Sequence, residues 1–232
     1  MLLNIWNTVL YGPLLNALAF LVSIIPGGDV GIAVILLTIL VKIALFPISQ
    51  KSIESQAKMN LLNPEINKIK NSGASKEEQA KQTFELYKKY KTNPFSGCLL
   101  ALVQIPLIFA LYYVFLKGIN LDGGFNMLFL GILDLSQKSL FLAILAGISQ
   151  FFQAYFMPKP ASLANAGDKT SLQESFGKSM QMQMKYIFPF LIAFIAYRVS
   201  GAVALYWITS NLFTIAQQIY ANKKKEKEGI LI

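Results

Sequence analysis

Residues 30 to 47, VGIAVILLTILVKIALFP, form an apolar run that approaches the length of a bilayer crossing and carries one cation, Lys42. A hydrocarbon core about 30 Å thick asks for roughly 20 apolar residues in a helix. A charge in such a segment costs at least a few kcal/mol unless it is solvated, paired or snorkelled to the interface. Any fold proposed for this chain has to accommodate that lysine.

The remainder of the chain is equally suited to lipid. It is 54% apolar and 14% charged, where a soluble domain averages roughly 25% charged residues. The mean hydropathy is positive. This reads as a membrane protein with one embedded domain. The net charge of +9 comes from 20 Lys and a single Arg, Arg198. A basic balance invites a nucleic-acid reading, but these cations lie between the apolar segments, as membrane topology requires. No DNA partner is expected.

The chain has no His and one Cys, Cys98. That nearly excludes His/Cys metal sites, internal disulfides and Ser/His or Cys/His nucleophile pairs. Cys98 opens an apolar segment and reads as a small packed hydrophobe. The full phosphate-cradling pattern Gly-x-x-x-x-Gly-Lys-Ser/Thr is also missing. No catalytic residue, metal or cofactor is expected. The N-terminus, MLLNIWNTVLYGP, lacks a basic n-region and a clear cleavage site, and reads as part of the mature protein.

Residues 1 to 25 are apolar but interrupted by Asn4, Asn7, Gly12, Pro13 and Asn16. Leu3, Trp6, Leu10, Leu14, Leu18 and Leu21 recur at helical spacing. Trp6 and Tyr11 suit a headgroup environment, so an interfacial helix is favoured over a spanning one. Pro26 to Asp29 form a turn, which completes an N-terminal unit of residues 1–29.

Five spans are expected in the core of residues 30–220, at about 30–47, 97–116, 139–157, 182–198 and 202–220. Residues 48–92 are polar, rich in Lys and helically periodic, with NSGAS as a turn in the middle. Ser75 and Glu78 form a capping-box signature. This predicts a helical hairpin in water, with Pro64 as a kink in its first helix. Residues 117–138 read as a mixed loop, 158–180 as a mobile loop, and 221–232 as a basic tail.

Orientation follows from counting cations per loop. The hairpin holds nine Lys, the 158–180 loop three and the tail four; residues 1–29 hold none, the 117–138 loop two, and the 198–201 turn only Arg198. The lysine-rich side is expected to be cytoplasmic, with the N-terminus outside. The fold class is then an all-α integral membrane protein: a five-span helical bundle with a cytoplasmic helical hairpin and an N-terminal interfacial helix.

Polar residues within the spans are few. Thr38 and Lys42 lie four apart on one face of span one, which Gly31 and Ser49 extend. Span two has Gln104, and span three has Ser149, Gln150 and Gln153. Span five carries the broadest polar face: Trp207, Asn211, Thr214 and Gln218, flanked by Tyr206, Ser210 and Gln217. No span contains Asp or Glu, whereas ion-coupled transporters usually place a carboxylate there.

Two readings of Lys42 stay open. It lies five residues before Pro47, roughly 7.5 Å at 1.5 Å per residue, within snorkelling reach of the cytoplasmic headgroups. Alternatively, Lys42, Thr38 and the span-five polar face line a hydrated cavity open to the cytoplasm. The span-five stripe also has a bland reading, as helix–helix hydrogen bonding. A cavity would attract an acidic peptide and lower its desolvation cost without making or breaking a bond.

Several segments, in this order, are identified with one family: TILVKIALFPIS (38–49), QAKMNLLNPEI (56–66), LYKKYKTNPFSGC (86–98), QIPLIFALYY (104–113) and GAVALYWITSNLFTIAQQ (201–218). The chain resembles the YidC/Oxa/Alb family of membrane protein insertases, in its short bacterial form without a large extracytoplasmic domain. The resemblance covers the chain from residue 30 onward.

It implies five core spans, a cytoplasmic hairpin, and a hydrophilic groove closed on the outside. The groove's positive residue, usually Arg in the family, is matched by Lys42. Lys lacks the bidentate fork of Arg, so the resemblance carries over a need for charge and not for guanidinium geometry. Thr38 matches a groove-facing position one turn away, Trp207 a position on the substrate-contacting span, and Gln150 a groove-lining one. The expected substrate groove is thus Lys42, Thr38, Gln104, Gln150, Tyr206, Trp207, Ser210 and Asn211.

The implied function is insertion and folding of nascent hydrophobic segments into the bacterial cytoplasmic membrane. Nascent membrane proteins and the lipid bilayer are the implied partners; the Sec translocon, ribosome and signal-recognition receptor are candidate ones. A small polar-solute channel or transporter is the alternative, disfavoured by the apolar outer halves of spans two and three. An intramembrane enzyme is disfavoured by the missing His and carboxylates.

Overall fold

The computed structural model describes residues 6–93, 96–118, 126–157 and 182–227. The expected mobile loop at 158–180 and the last five residues of the basic tail lie outside the described residues, as does the side chain of Cys98.

Helices dominate. A π-helical turn, Asn7–Tyr11, runs directly into α1 (Gly12–Ile24), with Pro13 in the first turn, where its missing N–H is harmless. Leu14, Leu18 and Leu21 form its buried face. Gly27 and Gly28 then take φ values of 77° and 64°, which glycine reaches without a Cβ clash. They turn the chain into α2.

α2 (Val30–Leu61) is one helix of 32 residues. The sequence suggests a span closing near Pro47 and a separate hairpin from residue 48. Pro47 instead lies inside the helix, on an exposed side. Its missing N–H removes one backbone bond, and the turns on either side carry the helix through.

The break comes at Leu62. α3 (Asn63–Lys70) follows, with Pro64 in its first turn. Pro64 therefore starts a helix, where a kink within one was expected; its fixed φ suits that position.

α4 (Lys76–Lys89) packs on α3. Ser75 Oγ accepts from Glu78 N at 3.3 Å, the cap predicted by their spacing. The Glu78 carboxylate accepts from Gln82 Nε2 at 3.1 Å. At the far end Tyr90 OH donates to Glu65 Oε1 at 3.1 Å. Ser55 Oγ donates to Asn93 O at 3.3 Å and accepts from Asn93 N at 3.2 Å, fastening the end of this unit to α2.

The remaining helices are α5 (Ser96–Gly118), α6 (Leu140–Phe156), α7 (Phe188–Arg198, after a π-helical turn Gln183–Ile187) and α8 (Gly201–Lys227). Ser139 caps α6 by accepting from Leu142 N at 3.3 Å. Between α5 and α6 the chain forms a small antiparallel ladder, β1 (Leu128–Phe129) with β2 (Leu133–Asp134), turned by Leu130 and Gly131 at positive φ. The sequence reads only as a mixed loop there, because two-residue strands leave no periodicity to detect.

α8 packs along α2 and α6, α6 along α7, and α2 against α1 and α5. The core draws on all of them, from Leu18, Ala33 and Val34 to Ala110, Leu135, Ala146, Ala202 and Tyr206. Gly147 lets α6 approach α7: a Cβ built there would lie 2.9 Å from Ala193 Cβ. Large apolar side chains also face outward, among them Leu40, Phe109, Ile144, Phe190 and Leu212. In water such exposure costs about 25 cal/mol per Å²; in lipid it does not. Among the described residues, Asn7–Ile24 and Val30–Met59 are helices long and apolar enough to cross a membrane.

Candidate functional site: a polar cleft between α2, α5 and α8

Where α2 and α8 run side by side, a cleft opens. It is lined by Lys42, Leu45, Ser49, Ile53 and Gln56 from α2, Gln104 from α5, Met157 beyond α6, and Thr214, Gln217 and Gln218 from α8. Helical spacing produces this lining: Lys42, Ser49, Ile53 and Gln56 recur at seven, four and three residues along one face, as Thr214, Gln217 and Gln218 do across the gap.

Lys42 Nζ donates to Thr214 Oγ1 at 3.2 Å. Thr214 in turn donates to Ser210 O at 2.8 Å. Gln217 Nε2 donates to Ser49 Oγ at 2.6 Å, and Ser49 Oγ to Phe46 O at 3.1 Å. These two side-chain links join α2 to α8. Lys42 is half-buried, and among the described residues no carboxylate pairs with it. The cleft therefore holds a cation with neutral company only. Among the described residues no cluster of His, Cys, Asp or Glu could hold a metal.

Of the eight expected groove residues, Lys42 and Gln104 line this cleft. The other six are buried and lie deeper or to one side. Thr38 donates to Val34 O at 2.6 Å, back into its own helix. Tyr206 is bonded to Gln104, so this pair joins α8 to α5 at the head of the cleft. Asn211 Nδ2 donates to Ser149 Oγ at 2.9 Å, which joins α8 to α6. Ser210 supplies its backbone carbonyl to Thr214. Trp207 and Gln150 are each 9% exposed.

The polar face of α8 is thus divided among three neighbours: Tyr206 to α5, Asn211 to α6, and Thr214 with Gln217 to α2. For Asn211 and Ser149 the helix–helix reading of the stripe is the one the geometry favours. Ser49, Gln56, Thr214, Gln217 and Gln218 line the cleft without belonging to the expected set. The signal for them was present, since Ser49 continues the Lys42 face and Thr214 and Gln218 continue the Trp207–Asn211 stripe.

Toward the start of α2 the polar lining stops. Val30, Ala33, Val34 and Leu37 of α2 and Ala202, Val203 and Ala204 of α8 are all buried and belong to the apolar core.

Apolar helices, outward-facing hydrophobes and a polar cleft holding a lysine describe a helical membrane protein. A family profile described as the 60Kd inner membrane protein matches residues 20–228. The chain belongs to this family, the YidC family of membrane protein insertases. It is 34% identical over 214 residues to a membrane protein insertase YidC of Clostridium tetani, covering 90% of each chain. It is 34% identical over 221 residues to that of Fusobacterium nucleatum, covering 93% of this chain and 98% of the other. The relative in Psychromonas ingrahamii is 32% identical over 226 residues, but these make up 37% of its length. A solved active YidC insertase, with its first transmembrane domain resolved, shares the fold at a TM-score of 0.59 and 22% identity, over 93% of this chain and 46% of that one.

Proposed function

We propose that this chain is a membrane protein insertase. The cleft receives the polar flank of a nascent segment, and the apolar part partitions into lipid. The observation that carries the mechanism is Lys42: a cation on an apolar helix, seated on Thr214 with no carboxylate beside it among the described residues. A site of this kind attracts an acidic tail and supplies polar contacts at a depth where it would otherwise lose its water. Burial of the segment's apolar surface, at about 25 cal/mol per Å², drives its release into lipid. No bond is made or broken.

In this reading Lys42 and Gln104 form the mouth. Thr38, Gln150, Tyr206, Trp207, Ser210 and Asn211 form the layer that a substrate reaches when α2 and α8 part. α2, α5, α6, α7 and α8 are the five spans, and α1 is an interfacial helix. The end of α2 with α3 and α4 forms a cytoplasmic hairpin, and the lysine bias supports an outside N-terminus. Nascent membrane proteins are the substrates. The hairpin lysines suit docking of ribosome, signal-recognition receptor or Sec translocon.

A polar-solute channel is the rival. The buried apolar residues Val34, Leu37, Val203 and Ala204 toward the start of α2 and α8 weigh against it. The test is insertion of a single-span protein with an acidic N-terminal tail into proteoliposomes holding only this chain. Wild type and Lys42→Arg should insert it, and Lys42→Ala should lose at least about tenfold, equivalent to about 1.4 kcal/mol. Equal insertion by Lys42→Ala would reduce the lysine to an anchor. Solute flux without insertion would favour the channel.

A further inference from the structure

Asp29 is a buried carboxylate at the end of α2 remote from the cleft, and nothing in the mechanism above uses it. Its Oδ1 accepts from Gly31 N at 2.8 Å and Ile32 N at 3.1 Å. That is the geometry of a helix N-cap. Its Oδ2 accepts from Leu130 N at 2.7 Å, about 100 residues along the chain. One oxygen starts α2 and the other grips the β1–β2 turn.

The turn is held at several further points. Val30 N donates to Asn126 O at 3.1 Å, and Asn126 Nδ2 to Gly27 O at 2.9 Å. Phe129 lies directly on Gly31, where any Cβ would meet its ring at 2.2 Å. The same segment then reaches α8: Gly201 N donates to Gln137 O at 2.9 Å, and Ala202 N to Leu135 O at 3.1 Å. Leu135 between them is fully buried. The first turns of the two helices that flank the cleft are thus both stitched to one short strap, residues 126–139.

The arrangement is asymmetric along α2 and α8. At the strap end the links are backbone bonds, a buried carboxylate and apolar packing. At the cleft end they are two side-chain links, Lys42 to Thr214 and Gln217 to Ser49, which an incoming polar chain can replace bond for bond.

We propose that Asp29 is a positioning residue for insertion: it anchors the strap, so that α2 and α8 share a fixed pivot at that end and part only at the Lys42 end. This rests on the insertase reading. The substrate never touches Asp29; the carboxylate acts through the strap on how the cleft opens.

Asp29→Asn separates the two duties of the side chain. Its carbonyl oxygen still caps α2, but its amide NH2 faces the Leu130 N–H, donor against donor. The full-length protein in proteoliposomes is followed by amide hydrogen exchange and by insertion of the acidic-tailed single-span protein. Exchange at Leu130, Gly201 and Ala202 should rise together by about tenfold or more, while the Lys42–Ser49 stretch of α2 keeps its protection. Insertion should slow by about three- to tenfold, roughly 1 kcal/mol of barrier. Gly31→Ala, which displaces Phe129 from the first turn of α2 without altering the Asp29 carboxylate, should raise exchange at Gly201 and Ala202 in the same way.

Loss of protection at Leu130 alone, with Gly201 and Ala202 unchanged, would sink the strap as a linked unit. Loss at all three with insertion at the wild-type rate would sink its role in positioning. Wild-type protein that inserts nothing would overturn the insertase reading and the positioning role with it. Exchange at Gly201 and Ala202 would still decide whether Asp29 joins the two helices.

Discussion

Lys42 Nζ lies 3.2 Å from Thr214 Oγ1, and that hydroxyl is itself fixed, since it passes its own proton to Ser210 O at 2.8 Å. The threonine therefore presents a lone pair to the cation and cannot turn away without giving up a second bond. Among the described residues the lysine is held in neutral company.

Thr214→Val keeps the shape of this contact and removes the acceptor. The lysine then faces an apolar wall, and the fold should lose about 1.5–3 kcal/mol, the range for a hydrogen bond to a charged group. Thermal unfolding in mild detergent measures it. Thr214→Ser retains the hydroxyl and should stay within about 0.5 kcal/mol of wild type.

Tyr206→Phe should be felt on α5. The phenol is 1% exposed and its hydroxyl partners Gln104. Removing it leaves the Gln104 amide without that partner beside an apolar layer, at a cost of about 1–3 kcal/mol. Adding Gln104→Leu should recover much of that loss, because both polar ends then disappear together. A double-mutant cycle on the melting curves checks this.

Gly147→Ala tests the close approach of α6 to α7. The added methyl would meet Ala193 Cβ at 2.9 Å and the Pro189 carbonyl oxygen at 3.1 Å. Backbone cannot yield as a flexible side chain does, so α6 and α7 must separate, at a cost of about 1–3 kcal/mol. Gly147→Ala together with Ala193→Gly should restore stability in the same melt.

The α3–α4 pair should loosen at alkaline pH. The hydrogen bond from Tyr90 to Glu65, and then the negative charge of that carboxylate, raise the phenol above its ordinary value near 10. A group whose pKa is raised by folding stabilises fully below its unfolded value and loses that contribution as pH climbs through the folded one. Protection factors across α4, exchange rates corrected for the intrinsic base-catalysed rate, should therefore be flat through neutrality and fall only above pH 10. Tyr90→Phe should shrink that step and leave the part due to Tyr87, which burial also raises.

How much could be read in advance differs from residue to residue, for physical reasons. Lys42 was legible because a charge on an apolar helix is rare and costly. Ser75 was legible because a cap is a local device with a fixed spacing, and Ser139 precedes its apolar run in the same way. Pro47 and Pro64 misled in opposite directions. A proline's effect depends on whether the flanking turns can carry the helix through, and that is settled by packing.

Asp29 stood in plain view as an Asp directly before an apolar helix. Its second oxygen serves Leu130, and no local pattern reports a contact about 100 residues away. The polar face of α8 was recognised as a stripe. Its division among α5, α6 and α2 was not, since which neighbour meets Tyr206, Asn211 or Thr214 depends on where three other helices lie.

The unbroken course of α2 through Pro47 gives it a mechanical property. At 1.5 Å per residue, Lys42 lies about 18 Å from Val30 and Leu61 about 46 Å. A tilt of about 5° at the Asp29 end moves the lysine by about 1.5 Å and the far end by about 4 Å on the same rise. The helix is a lever with its short arm at the charge. A displacement of the lysine-rich α3–α4 unit about that end would therefore reach Lys42 reduced more than twofold.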